Sequence, residues 1–591
     1  MDLTSLDETI TRQQQGPEVM NNEINEAVDQ PENADAFEAQ LAEPVNLPFE
    51  QILPGPVTDY EIMTAGGTYD NEYILQTRNL DPAGFRHVQD KGRGSATLKS
   101  WLMLRNKQTG QGVAILLAYS GNWIIEVQSL EDETVLRMDT SPPGLKPFAE
   151  FSGMPVPGAL VSQFTGHWDN GAQPIVRFIR SKLRRDLGPD WPPVQYNNWY
   201  DDYHKISETK LIHAARAAAA IGCELFTLDA GWYGKREDAK WSGQLGNWEV
   251  NKDRLPNGLE PVVTEVHRLG MKFGLWVEIE CASPTSDVVM EHPDWILKDG
   301  DRPVCERFAL DFGKPEVLAW AKSVIDRLVT TYALDYIKMD FNTDLLVNAE
   351  GLTPETDPIY RHNRGLAELW KHMRTAHPKL IVENCASGSL RQDAMTAALT
   401  DTHWISDNVS NPASLVISFG ATYLFPPEIC SHWTSTPGKP GEALDTESSF
   451  TANMVGHLGL SGRIYEWSDE TRKVAAERIA FYKTIRGRIG SSDVFHLTSQ
   501  SNIAAPDSMQ AVLYAEPQTG KGILFAFHGG DLSLEHTIVL RGLKRDQSYR
   551  LRMPEGYGPD RTASGNELVA KGLALRFPHY GSSVVILIDP E

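Results

Sequence analysis

Four times in succession between residues 208 and 388, an amphipathic helical stretch runs into a short apolar strand. "ETKLIHAARAAAAIG" leads to "CELFTLDAGW", "LEPVVTEVHRLG" to "MKFGLWVEIE", "KPEVLAWAKSVIDRLVTTY" to "LDYIKMDF", and "RGLAELWKHMRTAH" to "KLIVENCASG". Strands separated by helices are joined by crossovers rather than hairpins, so neighbouring strands run parallel. This texture fills residues 189–492, enough for a (β/α)8 TIM barrel, which typically takes about 250 residues. The flanks differ. Residues 51–188 hold short alternating runs such as "ATLKSWLML" and "NWIIEVQSL", punctuated by Gly and Pro, and predict an N-terminal β-sandwich domain. Residues 493–591 return to that texture ("SMQAVLYAEP", "KGILFAFHG", "SVVILID") and predict a small C-terminal antiparallel β domain, also a sandwich.

A chain of 591 residues is too long for one core, which agrees with several domains. Residues 1–50 hold twelve Asp or Glu against Arg12 alone, so they read as an acidic, disordered tail. With a net charge of −24, the surface would repel nucleic-acid phosphates, and no nucleic-acid partner is expected. No apolar run approaches the ~18 residues of a membrane span, so no membrane partner is expected. The opening "MDLTSLDETI" lacks the pattern of a secretory signal, and the five cysteines form no close-set motif. The expectation is a reduced, cytoplasmic protein. The sequence leaves a homo-oligomer open.

The polar residues interrupting the strands fall in one place. Asp229 follows "LFTL", Glu278 and Glu280 follow "FGLWV", Asp340 follows "YIKM", Glu383 follows "LIV", and Asp407 follows "THWIS". Each sits at the C-terminal end of a strand, the face on which barrel enzymes build their sites. Lys338 and Asp340 share one strand face, so both are expected to line a pocket. Several acids at one mouth could hold a metal, yet there is no H-x-H, H-E-x-x-H or Asp-rich loop, and no metal or other cofactor is expected. A Schiff-base role for Lys338 is opposed by the carboxylate two residues on, which favours the charged ammonium. Two carboxylates acting as nucleophile and general acid, with Trp199, Trp232, Trp276, Trp404 and Trp433 as stacking faces, fit a glycosidase.

From "NNWYDDY" through "WISDN" to "ATYLFPPEICSHW", with "LFTLDAGWYGKR", "LGNWEVNKDRLPNGL", "LGMKFGLWVEIE" and "HPDWIL" in order between, the chain resembles glycoside hydrolase family 36, the melibiase-type α-galactosidases. The resemblance implies that Asp340 is the nucleophile and Asp407 the acid/base of a retaining α-galactosidase, acting by double displacement on an α-galactoside or related oligosaccharide. It further implies that Lys338 and Asp229 bind sugar hydroxyls, that Trp199 and Trp276 wall the pocket, and that Cys385, Gly388 and Arg391 of "CASGSLRQD" are substrate-binding, in a loop whose first members crowd the 2-hydroxyl. Arg307 is the nearest candidate for an arginine the family carries close by, with Cys305 in its slot. The chain departs from the family at Ala230, where an aspartate is usual, at Met339, at Thr343, and at Ser389 and Leu390. The alternatives are an α-N-acetylgalactosaminidase, a β-L-arabinopyranosidase, an α-galactosyl transglycosylase or, in a different class, a Schiff-base lyase or sugar-binding barrel.

Overall fold

The computed structural model describes residues 41–235, 240–348, 350–435, 446–503, 508–530 and 533–591. Eight strands close into a parallel barrel. They are β1 (Gln195–Asn197), β2 (Leu225–Leu228), β3 (Lys272–Val277), β4 (Tyr336–Met339), β5 (Ile381–Asn384), β6 (Thr402–Trp404), β7 (Cys430–Ser435) and β8 (His457–Ser461). Each pairs in parallel with its chain neighbour, and β8 pairs with β1. A helix follows each strand in turn: α1 (Glu208–Ala220), α2 (Glu260–Arg268), α3 (Pro315–Tyr332), α4 (Pro358–Ala376), α5 (Ala394–Leu399), α6 (Asn411–Leu424), α7 (Thr446–Met454) and α8 (Asp469–Ser491). The sequence writes several of these starts. Ser207 and Ser468 accept a backbone N–H from the first turns of α1 and α8, and Asp393 and Thr396 form a reciprocal capping box on α5. The TIM-barrel expectation holds.

Ahead of the barrel, a six-stranded antiparallel sheet faces a four-stranded one across a core that includes Leu102, Ile115, Trp123 and Met138. Behind it, a six-stranded sheet and the pair Glu535–Ile538 with Leu573–Arg576 enclose a second core around Leu524, Tyr549 and Ile586. One boundary moves. Residues 41–50, which composition assigns to the acidic tail, contain the strand Glu43–Asn46 and the start of the strand Phe49–Pro54. These pair with Gly158–Thr165 and Glu133–Thr140, because "EPVN" and "FEQILP" supply backbone and alternate apolar side chains despite their acids. The rest of the expected tail, residues 1–40, lies outside the described residues.

Candidate active site

Asp340 follows β4 directly and is held from four sides. Its Oδ2 accepts from Trp276 Nε1 (3.0 Å) and Asn342 Nδ2 (2.8 Å), and its Oδ1 from the backbone N–H groups of Phe341 (2.8 Å) and Ser387 (3.2 Å). Burial alone would raise this carboxyl. Lys338, with hydrogen bonds from Asn342, Cys385 and Trp276, outweighs burial and holds it below the ordinary aspartate value. The group is therefore an oriented, ionised carboxylate.

Lys338 lies beneath it, level with Trp276 on β3 and Glu383 on β5. Its Nζ stands 3.6 Å from Asp229 Oδ2, over the rings of Trp433 (4.3 Å to the centroid) and Trp404 (4.7 Å). Burial works against the ammonium, but Asp229, with Cys385, Glu383 and Asp340, more than compensates and raises its pKa. A raised pKa works against a Schiff-base role, which needs the free amine. Asp229 is fixed in turn by Asn197 Nδ2 (2.7 Å) and the Ala230 N–H (2.8 Å).

Asp407 closes the far side, half-buried. Trp404 Nε1 donates to its Oδ1 (2.7 Å), and the Tyr200 hydroxyl donates to its backbone carbonyl (2.7 Å). Burial and then the nearby charge of Asp340 push this carboxyl up to about 6, against Lys338 and the Trp404 N–H. Trp404 does not only bury the group. Its indole N–H works the other way.

Aromatic rings cluster around Trp276, the indole that donates to Asp340. Trp276 stacks on Tyr233 (centroids 5.8 Å, planes 9° apart), and Trp241 stands edge-on to both Trp276 (5.4 Å) and Trp199 (6.3 Å). Arg307 lies over Trp241 (5.1 Å) with Nη1 3.6 Å from Glu278 Oε2, and the Cys305 thiol donates to the Arg307 carbonyl. Glu278 also receives the Asn342 backbone N–H (2.7 Å), and burial with the Asp340 charge pushes it up to about 7. A cavity of about 340 Å3 is lined by Trp199 and Trp241 together with Asp202, Tyr203, His204, Lys205 and Lys240.

The loop after β5 divides. Cys385, whose N–H bonds the Met339 carbonyl (2.8 Å), packs with Trp404 and Trp433. Ser387 adopts φ +49 and so points its N–H at Asp340. Gly388 has φ +80, and a Cβ there would come 2.4 Å from Glu72 Oε1 and 3.3 Å from the Asp407 nitrogen, so only glycine fits. Arg391 is elsewhere. It gives Nη1 and Nη2 to Glu280 (2.8 and 2.7 Å), is only 1% exposed, and stacks on Phe341. The expectation that Arg391 contacts sugar is corrected: it is a buried strut whose charge Glu280 neutralises. Glu280, also bound by His362 (2.8 Å), leaves the set of mouth acids with it. Among the described residues, no group of three His, Cys, Asp or Glu is placed to hold a metal ion.

Comparison with known proteins decides the family. The melibiase family model matches residues 159–491, more than half of the chain. The chain belongs to the melibiase family. The resemblance to glycoside hydrolase family 36 is therefore borne out. The α-galactosidase AgaA of Geobacillus stearothermophilus is 26% identical over 547 residues, covering 88% of this chain and 72% of AgaA. The α-galactosidase Mel36A of Lactobacillus acidophilus is 29% identical over 447 residues, covering 72% and 60%. The crystal structure of AgaA superimposes with a TM-score of 0.81 at 24% identity, covering 92% of this chain and 76% of that one. The chain thus spans only part of its relatives' length, down to 54% for the fungal α-galactosidases C. Among the described residues, no helix is long and apolar enough to cross a membrane.

Sequence reasoning missed Trp241, Asn342, Tyr200 and Arg93. Arg93, from the N-terminal β domain, grips Asp344 through Nε (2.9 Å) and Nη2 (2.6 Å) and the Ser387 hydroxyl through Nη1 (3.1 Å). It braces both loops that flank Asp340. "NTD" and "GRGSAT" carry no spacing that could have paired them.

Proposed function

We propose that this chain is a retaining α-galactosidase in which Asp340 is the nucleophile and Asp407 the acid/base. One observation carries the reading: two carboxyls at one barrel mouth, one held below its ordinary pKa and one pushed to about 6. Asp340 attacks the anomeric carbon as the bond to the leaving oxygen breaks, and the Asp407 proton moves to that oxygen. Water then gives a proton to Asp407 and attacks the same carbon, breaking the Asp340 ester and restoring both groups. Lys338 and Asp229 bind hydroxyls between the tryptophan walls. The relatives' names support the substrate class, and AgaA variants have been crystallised with raffinose and with stachyose.

Hydrolysis of a nitrophenyl α-galactoside tests this. The first sugar released should be the α anomer, read by proton NMR before mutarotation. The profile of kcat/KM against pH should be bell-shaped. Asp340 must be ionised, so the acid limb lies below the ordinary carboxylate range. Asp407 must be protonated, so the alkaline limb falls near 6. Release of the β anomer first, or a rate still rising above neutrality, contradicts the assignment.

Ala230 bears on which galacto-configured sugar is preferred. It is buried directly after Asp229, where the family's aspartate would meet a 4- or 6-hydroxyl. Without that acceptor, a β-L-arabinopyranoside, which lacks the 6-hydroxymethyl group, loses less. Ala230→Asp should therefore raise the kcat/KM ratio of α-galactoside to β-L-arabinopyranoside by up to about a hundredfold, as one charged hydrogen bond allows. An unchanged ratio means that another residue already serves that hydroxyl.

A further inference from the structure

The N-terminal β domain reaches the acid/base through one loop. Residues 67–74 connect the strands Tyr60–Gly66 and Leu75–Asn79, and Asp70 (φ +63) and Tyr73 (φ +61) both take the left-handed conformation that non-glycine residues rarely adopt. Surrounding contacts hold the loop there. Tyr73 is fully buried with its ring under Lys99 Nζ (4.1 Å), and its carbonyl accepts from Gln500 (2.9 Å). The loop meets the barrel at residues 406–408. Ser406 Oγ donates to Glu72 Oε2 (2.6 Å), the Asn408 N–H donates to that same Oγ (3.0 Å), and Asn408 Nδ2 donates to the Asp70 carbonyl (3.2 Å). Glu72 has no exposed surface, and its Oε1 has no hydrogen-bond partner among the described residues. That oxygen fills the space Gly388 leaves beside the Asp407 nitrogen. Burial raises the Glu72 carboxyl, against the charge of Lys99 and the Ser406 hydrogen bond. A buried carboxyl of this kind costs stability unless it is hydrogen-bonded or paired, and here Ser406 supplies the hydrogen bond.

We propose that Glu72 is a positioning residue for the general acid: through Ser406 it fixes the backbone of residues 406–408, so that the Asp407 carboxyl stays against Trp404 and aimed at the glycosidic oxygen. The inference rests on the acid/base reading of Asp407. It assigns the N-terminal β domain a part in the protonation step as well as in packing.

The test compares Glu72→Leu, which removes the acceptor but keeps bulk, with Glu72→Gln, which keeps an acceptor for Ser406. Each is assayed on a nitrophenyl α-galactoside and on an α-galactosyl disaccharide, whose leaving group needs protonation. Glu72→Leu should cut kcat/KM on the disaccharide by about tenfold or more and on the nitrophenyl substrate by less than about threefold, a fraction of what a general acid contributes. Glu72→Gln should stay near wild type on both. Ser406→Ala should reproduce the split, and the double variant Glu72→Leu/Ser406→Ala should be no worse than the poorer single one, because the two act as one unit. If Glu72→Leu does not fold, the split in Ser406→Ala and its absence in Glu72→Gln decide the matter. Equal losses on both substrates, additive effects, or Glu72→Gln as impaired as Glu72→Leu would overturn the proposal. Failure of wild type on both galactosides, or an Asp407→Ala variant without the split, would instead overturn the functional reading beneath it.

Discussion

Asp340→Ala is expected to cut turnover of any α-galactoside by at least about a thousandfold, some 4 kcal/mol of barrier. The substitution removes the atom that forms the covalent ester, and no other group at the mouth replaces it. Glu278 is the nearest rival, but burial raises its carboxyl even without the Asp340 charge, and Asn342 and Arg307 already hold it. The alanine leaves a space lined by the donors that served Asp340: Trp276 Nε1, Asn342 Nδ2 and the N–H groups of Phe341 and Ser387. A small anion fits such a site. Added azide should therefore restore part of the turnover on a nitrophenyl α-galactoside and give β-galactosyl azide, since it attacks from the Asp340 face with a single inversion. Activity within tenfold of wild type, or an α-linked azide, would remove Asp340 from the nucleophile's place.

Asp407→Ala should divide substrates by leaving group. A disaccharide's departing hydroxyl needs its proton, so kcat/KM on it should fall by about a hundredfold or more, the usual contribution of a general acid. Nitrophenolate leaves unaided, so kcat/KM on the nitrophenyl galactoside should fall less than about tenfold, while kcat falls because water loses its base in the second step. The alkaline limb near pH 6 should disappear with the group that sets it. Equal losses on both substrates, or an alkaline limb left in place, would assign the proton to another residue.

How much of this was legible in the sequence depends on which interactions are local. The barrel was, because strand-to-helix alternation is set within some thirty residues by apolar periodicity. So were Lys338, Asp340, Asp229 and Asp407, since a polar residue ending an apolar strand can only face the mouth or be buried at cost. What spacing does not encode is direction just beyond the strand. Glu278 and Glu280 look alike in "VEIE", yet one meets Asn342 at the mouth while the other turns to Arg391 and His362 in the core. Glu383 ends its strand too, but lies buried inside the barrel level with Lys338. Arg391 was misplaced for the same reason. The residues that brace the site from outside, Arg93 and Glu72, belong to strand connections of a different domain. Their partners lie about 250 and 330 residues away in sequence (Asp344 at 251, Ser406 at 334), a distance no local pattern spans. The strands within residues 41–50 were hidden by composition, because acids on an exposed strand face look like a solvated tail.

The central claim is a covalent bond between Asp340 and the galactosyl carbon. Incubating the enzyme with a fluorinated α-galactosyl fluoride, which forms the glycosyl ester faster than water resolves it, and then mapping the labelled peptide by mass spectrometry tests it directly. The account predicts one galactosyl adduct per chain, on Asp340 in "YIKMDFNTD", absent from Asp340→Ala. A label on Asp407 or Glu278, or inactivation of turnover with no adduct at all, would contradict it.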